Sequence, residues 1–284
     1  MPPGRAGWGW SPDSSGSESG RHREIMEALE IHRLFAAIIL AAVRPGVALL
    51  QCPPLSESMI GGTARWCAIL GFSMLTVPLV LQQMPPGEPS TAVLALVSVR
   101  EALIGAVIGF FSAVPFWVVE NVGNFIDNQR GATMGEIYSP LSGAQVSTTA
   151  IFFTQVVSTV FFVSGAVFLV LSALYRSYDV WPLFDRFVAF SANASEQILG
   201  ALDGMLAQTV VISAPVVILM FLATVGLGFV NRTAPQLNVF FLSMPVKSAL
   251  GVAMLVIYLP YIMDMLMYTK TMEILGPAIK LLRG

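Results

Sequence analysis

"TAVLALVSVREALIGAVIGFFSAVPFWVV" occupies residues 91–119, and its 29 positions carry only two charges, Arg100 and Glu101. A helix needs about 20 consecutive, mostly apolar residues to cross the hydrocarbon core of a bilayer. This stretch exceeds that length, so it predicts a long membrane helix.

Five more apolar windows flank this one, at 34–50, 66–81, 150–174, 205–230 and 239–263. The 284 residues are 55% hydrophobic and 11% charged, less than half of the roughly 25% charge of a soluble domain. We therefore predict an all-α integral membrane protein with about six long apolar helical segments.

Prolines and glycines inside these windows predict kinked, closely packed helices. Pro115 and Pro215 lie within spans, which membrane helices tolerate when neighbouring groups satisfy the freed backbone. Gly105 and Gly109 have the spacing that lets two helices approach closely. Ordinary membrane glycine is the alternative for this pair.

Composition excludes several classes of function. The net charge of −2 gives no reason to expect a nucleic-acid partner, which requires clustered basic surface. Cys52 and Cys67 are too few for a disulfide framework, and His22 and His32 stand apart, so we expect no metal site. No phosphate, dinucleotide or nucleophile motif occurs, so we expect no cofactor and no enzymatic activity.

The chain ends and connections are also informative. Residues 1–24 are rich in Pro, Gly and Ser, which predicts a disordered tail before a single helical domain at 25–284. Tyr178 and Trp181, after the fourth window, are typical of a segment at a membrane boundary. Only "NRTAPQLN", residues 231–238, joins the last two windows, so these should form an antiparallel hairpin.

Charges inside the windows are few: Arg44, Arg100, Glu101 and Lys247. Arg100 and Glu101 are adjacent, and helix neighbours one apart do not face each other. Each charge should therefore find its own partner in protein or water, because a central charge costs roughly 2.5–3.5 kcal/mol. Snorkelling or an internal ion pair is one interpretation, and contact with partner subunits or a hydrated lumen is the other.

The polar stretch "VENVGNFIDNQRGATMGEIYSPLSGAQVSTT", residues 119–149, separates the third and fourth windows. Asp127 and Arg130 are three apart and should share a helical face if the helix extends that far. Connections of this length are either disordered or functional, as a lid or re-entrant element. Both interpretations stay open from the residues alone.

Two motifs carry a family resemblance: "GNFIDNQRGATMGEIYSPLSG" at 123–143 and "NRTAPQLNVFFLSMPVKS" at 231–248. They resemble the SctT (YscT, SpaR, HrcT) family of type III secretion export-apparatus proteins, which is related to flagellar FliR. The resemblance covers about residues 27–270, and "IDNQRG" favours the secretion branch over the flagellar one.

The resemblance implies kinked helical hairpins that assemble with R and S subunits, and with the U subunit, into an export gate for unfolded polypeptides in the bacterial inner membrane. It implies a plug in the loop from Gly131 to Ser147. Plug-loop and gating residues would be Asp127, Gln129, Arg130, Gly131, Ala132, Thr133, Met134 and Gly135. Passage or subunit contacts would be Arg100, Glu101, Asn231, Arg232, Pro235, Asn238, Met244 and Lys247.

Two rival functions remain at this point. A flagellar FliR-type export protein is the nearer one. A small-solute or proton-coupled transporter is the other, although such a protein would use intramembrane acids as relays and the windows contain only Glu101. The sequence departs from the family pattern at Ser139, where that pattern leads us to expect an aspartate before Pro140, so the resemblance does not support an acid-specific role at this position.

Overall fold

A computed structural model describes residues 14–85, 90–131, 147–184, 194–234, 236 and 238–269. Within these ranges every regular element is helical. The elements are α1 (Ser14–Leu50), a short 3-10 turn (Pro53–Leu55), α2 (Glu57–Ile60), α3 (Gly62–Met74), α4 (Val77–Gln83), α5 (Thr91–Arg130), α6 (Thr148–Val163), α7 (Ala166–Val180), α8 (Ala194–Thr233) and α9 (Val239–Thr269).

The six predicted windows are all found in helices. Four segments are long and apolar enough to cross a membrane alone: Glu30–Leu50, Thr91–Arg130, Ser195–Thr233 and Phe241–Ile262. The pairs α3–α4 and α6–α7 are bent by 44° and 72°, and each becomes one further span if its halves are counted together. The predicted all-α membrane fold is therefore confirmed, with four to six spans.

Helix α5 is the centre of the fold, packing against α1, α6, α8 and α9. The hydroxyl of Ser90 caps its first turn by accepting from the Val93 N–H. Gly131 ends it in the left-handed conformation, at φ 80°, which glycine adopts without steric cost. Pro115 lies inside the helix without ending it.

Glycines in α5 allow its neighbours to come within backbone contact. A Cβ atom on Gly105 would lie 2.5 Å from the Arg44 carbonyl oxygen, and one on Gly109 would lie 2.8 Å from that of Ala48. On Gly123 it would overlap the backbone of Ala150 in α6. The close approach predicted for Gly105 and Gly109 is confirmed, and it joins α5 to α1.

Helix α1 begins at Ser14, inside the segment 1–24 for which the composition predicts disorder. Extending an existing helix adds one hydrogen bond per ordered residue without a new nucleation cost. The apolar segment that follows can therefore carry a polar helix before it. Residues 1–13 lie outside the described part of the chain.

The last two long helices form the predicted hairpin. α8 ends at Thr233 and α9 begins at Val239, and the two pack against each other. A Cβ on Gly251 would lie 2.5 Å from the terminal methyl of Met220. These residues are nearly equidistant from the turn, so the helices run antiparallel.

Candidate functional site

A buried ion pair joins α1 to α5. Arg44 Nε donates to Glu101 Oε2 at 2.7 Å and Arg44 Nη2 donates to Oε1 at 2.9 Å. Both side chains are 0% exposed. This two-bond geometry is the strongest form of an arginine–carboxylate contact, so the pair neutralises both charges inside the protein.

Helix α7 and the residue that ends it provide acceptors for two more hydrogen bonds from the Arg44 guanidinium. Arg44 Nη1 donates to Ser177 Oγ at 2.8 Å and Nη2 to the Trp181 carbonyl at 3.0 Å. The ring of Tyr178 lies beneath it, 3.9 Å from the guanidinium carbon, which adds a cation–π contact. The cluster therefore fixes the positions of three helices relative to one another: α1, α5 and α7.

The prediction that Arg100 and Glu101 each find a separate partner is confirmed. Arg100 Nη1 donates to the carbonyls of Pro182 and Leu183, both at 2.7 Å. Glu101 forms the internal ion pair that the residues had left open as an alternative. The Glu101 side chain is 0% exposed within this chain, and the passage or subunit role that the resemblance implies for it stays a prediction.

The sequence named Arg44 as a charge in need of a partner but did not identify that partner, and it gave no role to Ser177. Tyr178, predicted to lie at a membrane boundary, is fully buried under Arg44, and its depth in the membrane stays a prediction. The available signal was charge balance: the windows contain one acid, Glu101, and a basic partner in another helix was required.

A second cluster lies at the end of α5, on the "IDNQRG" motif. Arg130 Nη2 is 2.7 Å from Asp127 Oδ1, so the predicted shared helical face is confirmed. Asp127 also accepts from Ser147 Oγ at 2.6 Å, from the Thr149 N–H at 3.0 Å and from Thr149 Oγ1 at 2.5 Å. We call this group, Asp127, Arg130, Ser147 and Thr149, the Asp127 clasp.

The clasp ties the last turn of α5 to the first turn of α6. Ser147 also caps α6 by accepting from the Ala150 N–H at 3.1 Å, so the carboxylate and the cap form one network. Residues 132–146, which connect these two helix ends, lie outside the described part of the chain. The predicted gating residues Ala132, Thr133, Met134 and Gly135 belong to that connection.

The two predicted groups of residues meet at Gly131. A Cβ there would lie 3.8 Å from Cγ and Cε of Met244, near the start of α9. Gln129 is half-buried beside it. The structure therefore brings the base of the predicted plug loop against the hairpin motif, which the linear sequence separates by more than a hundred positions.

The other hairpin residues face outward or lack a partner. Asn231, Arg232 and Asn238 are exposed, and Pro235 falls outside the described residues. Lys247 is half-buried, and it makes no hydrogen bond or ion pair with any residue that the structure describes.

The hairpin is also the least covered part of the described fold. Only 22% of the apolar window in α8 and 6% of that in α9 is buried, against 61% in α5. Large apolar side chains such as Phe221, Phe229 and Ile257 are more than half exposed. These two helices therefore meet lipid or other protein along most of their length.

The two free cysteines differ in exposure. Burial raises the pKa of the Cys52 thiol to about 12, so it stays protonated and unreactive, while Cys67 is free and exposed on α3. Among the described residues, no group of three His, Cys, Asp or Glu side chains could hold a metal ion.

Comparison with known proteins agrees with the motifs. Residues 35–271 match the family "Bacterial export proteins, family 1". The chain is 39% identical over 207 residues to Yop proteins translocation protein T of Yersinia pestis, covering 72% of this chain and 79% of that protein.

Two other relatives mark the two branches of the family. Secretion system apparatus protein SsaT of Salmonella typhimurium is 35% identical over 238 residues, covering 82% of this chain and 91% of its own length. Flagellar biosynthetic protein FliR of Bacillus subtilis is 26% identical over 227 residues, covering 79% and 86%. The chain therefore belongs to family 1 of the bacterial export proteins, in the type III secretion branch that is related to FliR, and is a multi-pass inner-membrane component of the export apparatus.

Proposed function

We propose that this chain is a structural and gating subunit, rather than a catalyst, that builds the wall of an export passage with the R and S subunits and contacts the U subunit. Unfolded polypeptides are the cargo. The Asp127 clasp is the observation that carries this proposal, because it holds together the two ends of the connection proposed as the plug.

The clasp fixes the two helix ends that the connection joins. Asp127 accepts three hydrogen bonds and pairs with Arg130, and hydrogen bonds to charged groups contribute about 1.5–3 kcal/mol each. The carboxylate also caps the first turn of α6, where a negative charge is favourable. Residues 132–146 can then be displaced by a passing chain while the helix ends stay in place.

The exposed hairpin supports assembly with other export subunits. Large contiguous apolar surface on a protein marks a contact with a membrane or with another protein. Lys247, half-buried near the start of α9, adds a charge to this region, and a charge facing hydrocarbon is costly. A subunit interface or a hydrated wall satisfies both observations, whereas lipid satisfies only the first.

The transporter alternative loses its main candidate residue. A proton relay needs an acid that can gain and lose a proton, and Glu101 is held by two hydrogen bonds from the fully buried Arg44. That acid is committed to holding the fold together. The flagellar alternative is disfavoured by the higher identity to the secretion relatives.

Shortening the 132–146 connection tests the gating role. We expect the assembled complex to leak ions or small dyes, because the seal is removed while Asp127, Ser147 and Thr149 remain. The measurement is membrane conductance or dye uptake in cells overproducing the complex, with a Gly/Ser replacement of equal length as the matched control. Unchanged leakage from a shortened chain that still assembles would show that the seal lies in another subunit.

A further inference from the structure

A groove with mixed polar and apolar lining opens beside the Asp127 clasp, between the second half of α5, the start of α6 and the segment from Pro53 to Met59. Its volume is about 520 Å³. Glu120 and Asn124, one helical turn apart on α5, and Thr154 and Gln155 on α6 contribute polar lining, while the apolar lining comes from Pro53, Met59, Ala150 and Ile151. Ser147, a member of the clasp, also lines the groove.

Four of the polar side chains that line the groove have unpaired hydrogen-bonding groups: Glu120, Asn124, Thr154 and Gln155. None of them makes a hydrogen bond or ion pair with any residue in the described part of the chain. Glu120 and Gln155 are exposed and Asn124 and Thr154 are half-buried, and an unpaired polar group facing hydrocarbon costs at least about 1–3 kcal/mol. These four side chains therefore need water or a polar ligand, rather than lipid tails, as their neighbour.

The geometry of the polar groups favours an extended polypeptide over a helix. A partner helix pairs its own N–H and C=O groups internally and packs mainly through rows of side chains. Its backbone therefore has no free donors or acceptors for the polar side chains of the groove. An unfolded chain carries one unpaired donor and one unpaired acceptor at each residue. Amide, hydroxyl and carboxylate side chains can serve those groups whatever the sequence of the chain.

We propose that this groove is a binding surface for the main chain of an exported, unfolded polypeptide. The inference rests on the proposed function, and it locates a contact with cargo at the root of the connection proposed as the plug. Because Ser147 belongs to both the groove and the clasp, a chain seated in the groove lies directly against the end of that connection. Glu120 is the charged residue of the lining, so the groove favours basic over acidic segments.

Site-specific photo-crosslinking tests this assignment. A photo-reactive phenylalanine analogue replaces Gln155 in the groove, and in a matched variant it replaces Phe162. Phe162 lies two helical turns further along the same face of α6 and is also exposed, but it is outside the groove. The probe is an exported protein fused to a tightly folded domain, so that it stalls in the apparatus.

We expect several-fold more cargo crosslinked from position 155 than from position 162. Crosslinks from 155 mainly to another export subunit would overturn the inference and make the groove a subunit interface. Equal or absent cargo crosslinks at both positions would overturn it too. Co-purification of both variants with R and S subunits is measured in parallel, so that failure of the groove is distinguished from failure of the proposed function.

A second variant pair provides an independent readout. Replacing Thr154→Val together with Gln155→Leu removes hydrogen-bonding groups with little change in size, and Phe162→Leu is the control. We expect several-fold slower secretion from the double variant at normal complex abundance. Secretion at the wild-type rate would contradict a role in cargo contact.

Discussion

The helices α1, α5 and α7 and the hairpin α8–α9 treat intramembrane charge in opposite ways. In the first region, Arg44 and Glu101 are fully buried and pair with each other through two hydrogen bonds. In the hairpin, Lys247 has no partner among the described residues. The region of α1, α5 and α7 therefore neutralises its buried charges within the chain, whereas the charge on the hairpin is available to another molecule.

Glycines show the same contrast in packing. Gly105 and Gly123 lie against the backbone of neighbouring helices, where an added Cβ would collide. In α8, a Cβ on Gly226 would meet nothing within 4 Å. The α5 glycines are therefore required by packing inside the chain, whereas no contact within the described chain requires Gly226.

The largest expected effect comes from breaking the buried pair. Glu101→Leu should destabilise the isolated chain by about 3–5 kcal/mol, because it leaves Arg44 charged and uncompensated in the interior. The Arg44→Met, Glu101→Leu double variant should recover most of that loss, since neither charge remains. Unfolding in detergent measures both, with the exposed Arg176→Met as the control. A double variant as unstable as the single one would contradict an account based on the pair.

A smaller effect of opposite sign in the two regions is expected at the glycines. Gly123→Ala should cost about 1–3 kcal/mol, because α5 and α6 must separate to admit the methyl group. Gly226→Ala should be neutral or stabilise by up to about 1 kcal/mol through helix propensity. The same unfolding measurement compares the two. If Gly226→Ala destabilises the isolated chain as much as Gly123→Ala, the hairpin is not the open surface described above.

The smallest effect on chain stability is expected at Lys247. Lys247→Met should change the unfolding free energy by no more than about 0.5 kcal/mol, as for a surface position without intrachain partners. Secretion should fall nevertheless, because the charge serves assembly or the passage wall. The matched control is Arg232→Met at the exposed end of the same hairpin. Normal secretion by Lys247→Met would mean that the ammonium group simply reaches water by snorkelling.

Much of the fold could be predicted because hydropathy decides it. Six apolar windows predicted the helical segments, and the eight-residue connection between the last two required a hairpin. The pairing of Asp127 with Arg130 could also be predicted, because residues three apart lie on the same face of a helix. The strong bend between α6 and α7 had only a weak signal in Gly165, which adopts φ 73° there.

The rest depended on tertiary packing. Arg44 and Glu101 are 57 residues apart, and their pairing follows from the contact of α1 with α5 that Gly105 permits. The contact of Tyr178 with Arg44 was not predicted, because a tyrosine ring suits a membrane boundary as well as a cation–π contact. Ser147 and Thr149 were not recognised as partners of Asp127, because no local period relates residues on opposite sides of a long connection.

The size and composition of the solubilised complex test the central claim most directly: this chain completes its own core and leaves the α8–α9 hairpin for other export subunits. A tagged chain is extracted from native membranes in mild detergent, and its mass and co-purifying subunits are determined. We expect a stable assembly well above the 30.5 kDa of the single chain, containing R and S subunits. Recovery of a folded, lone chain from cells that secrete normally would contradict it.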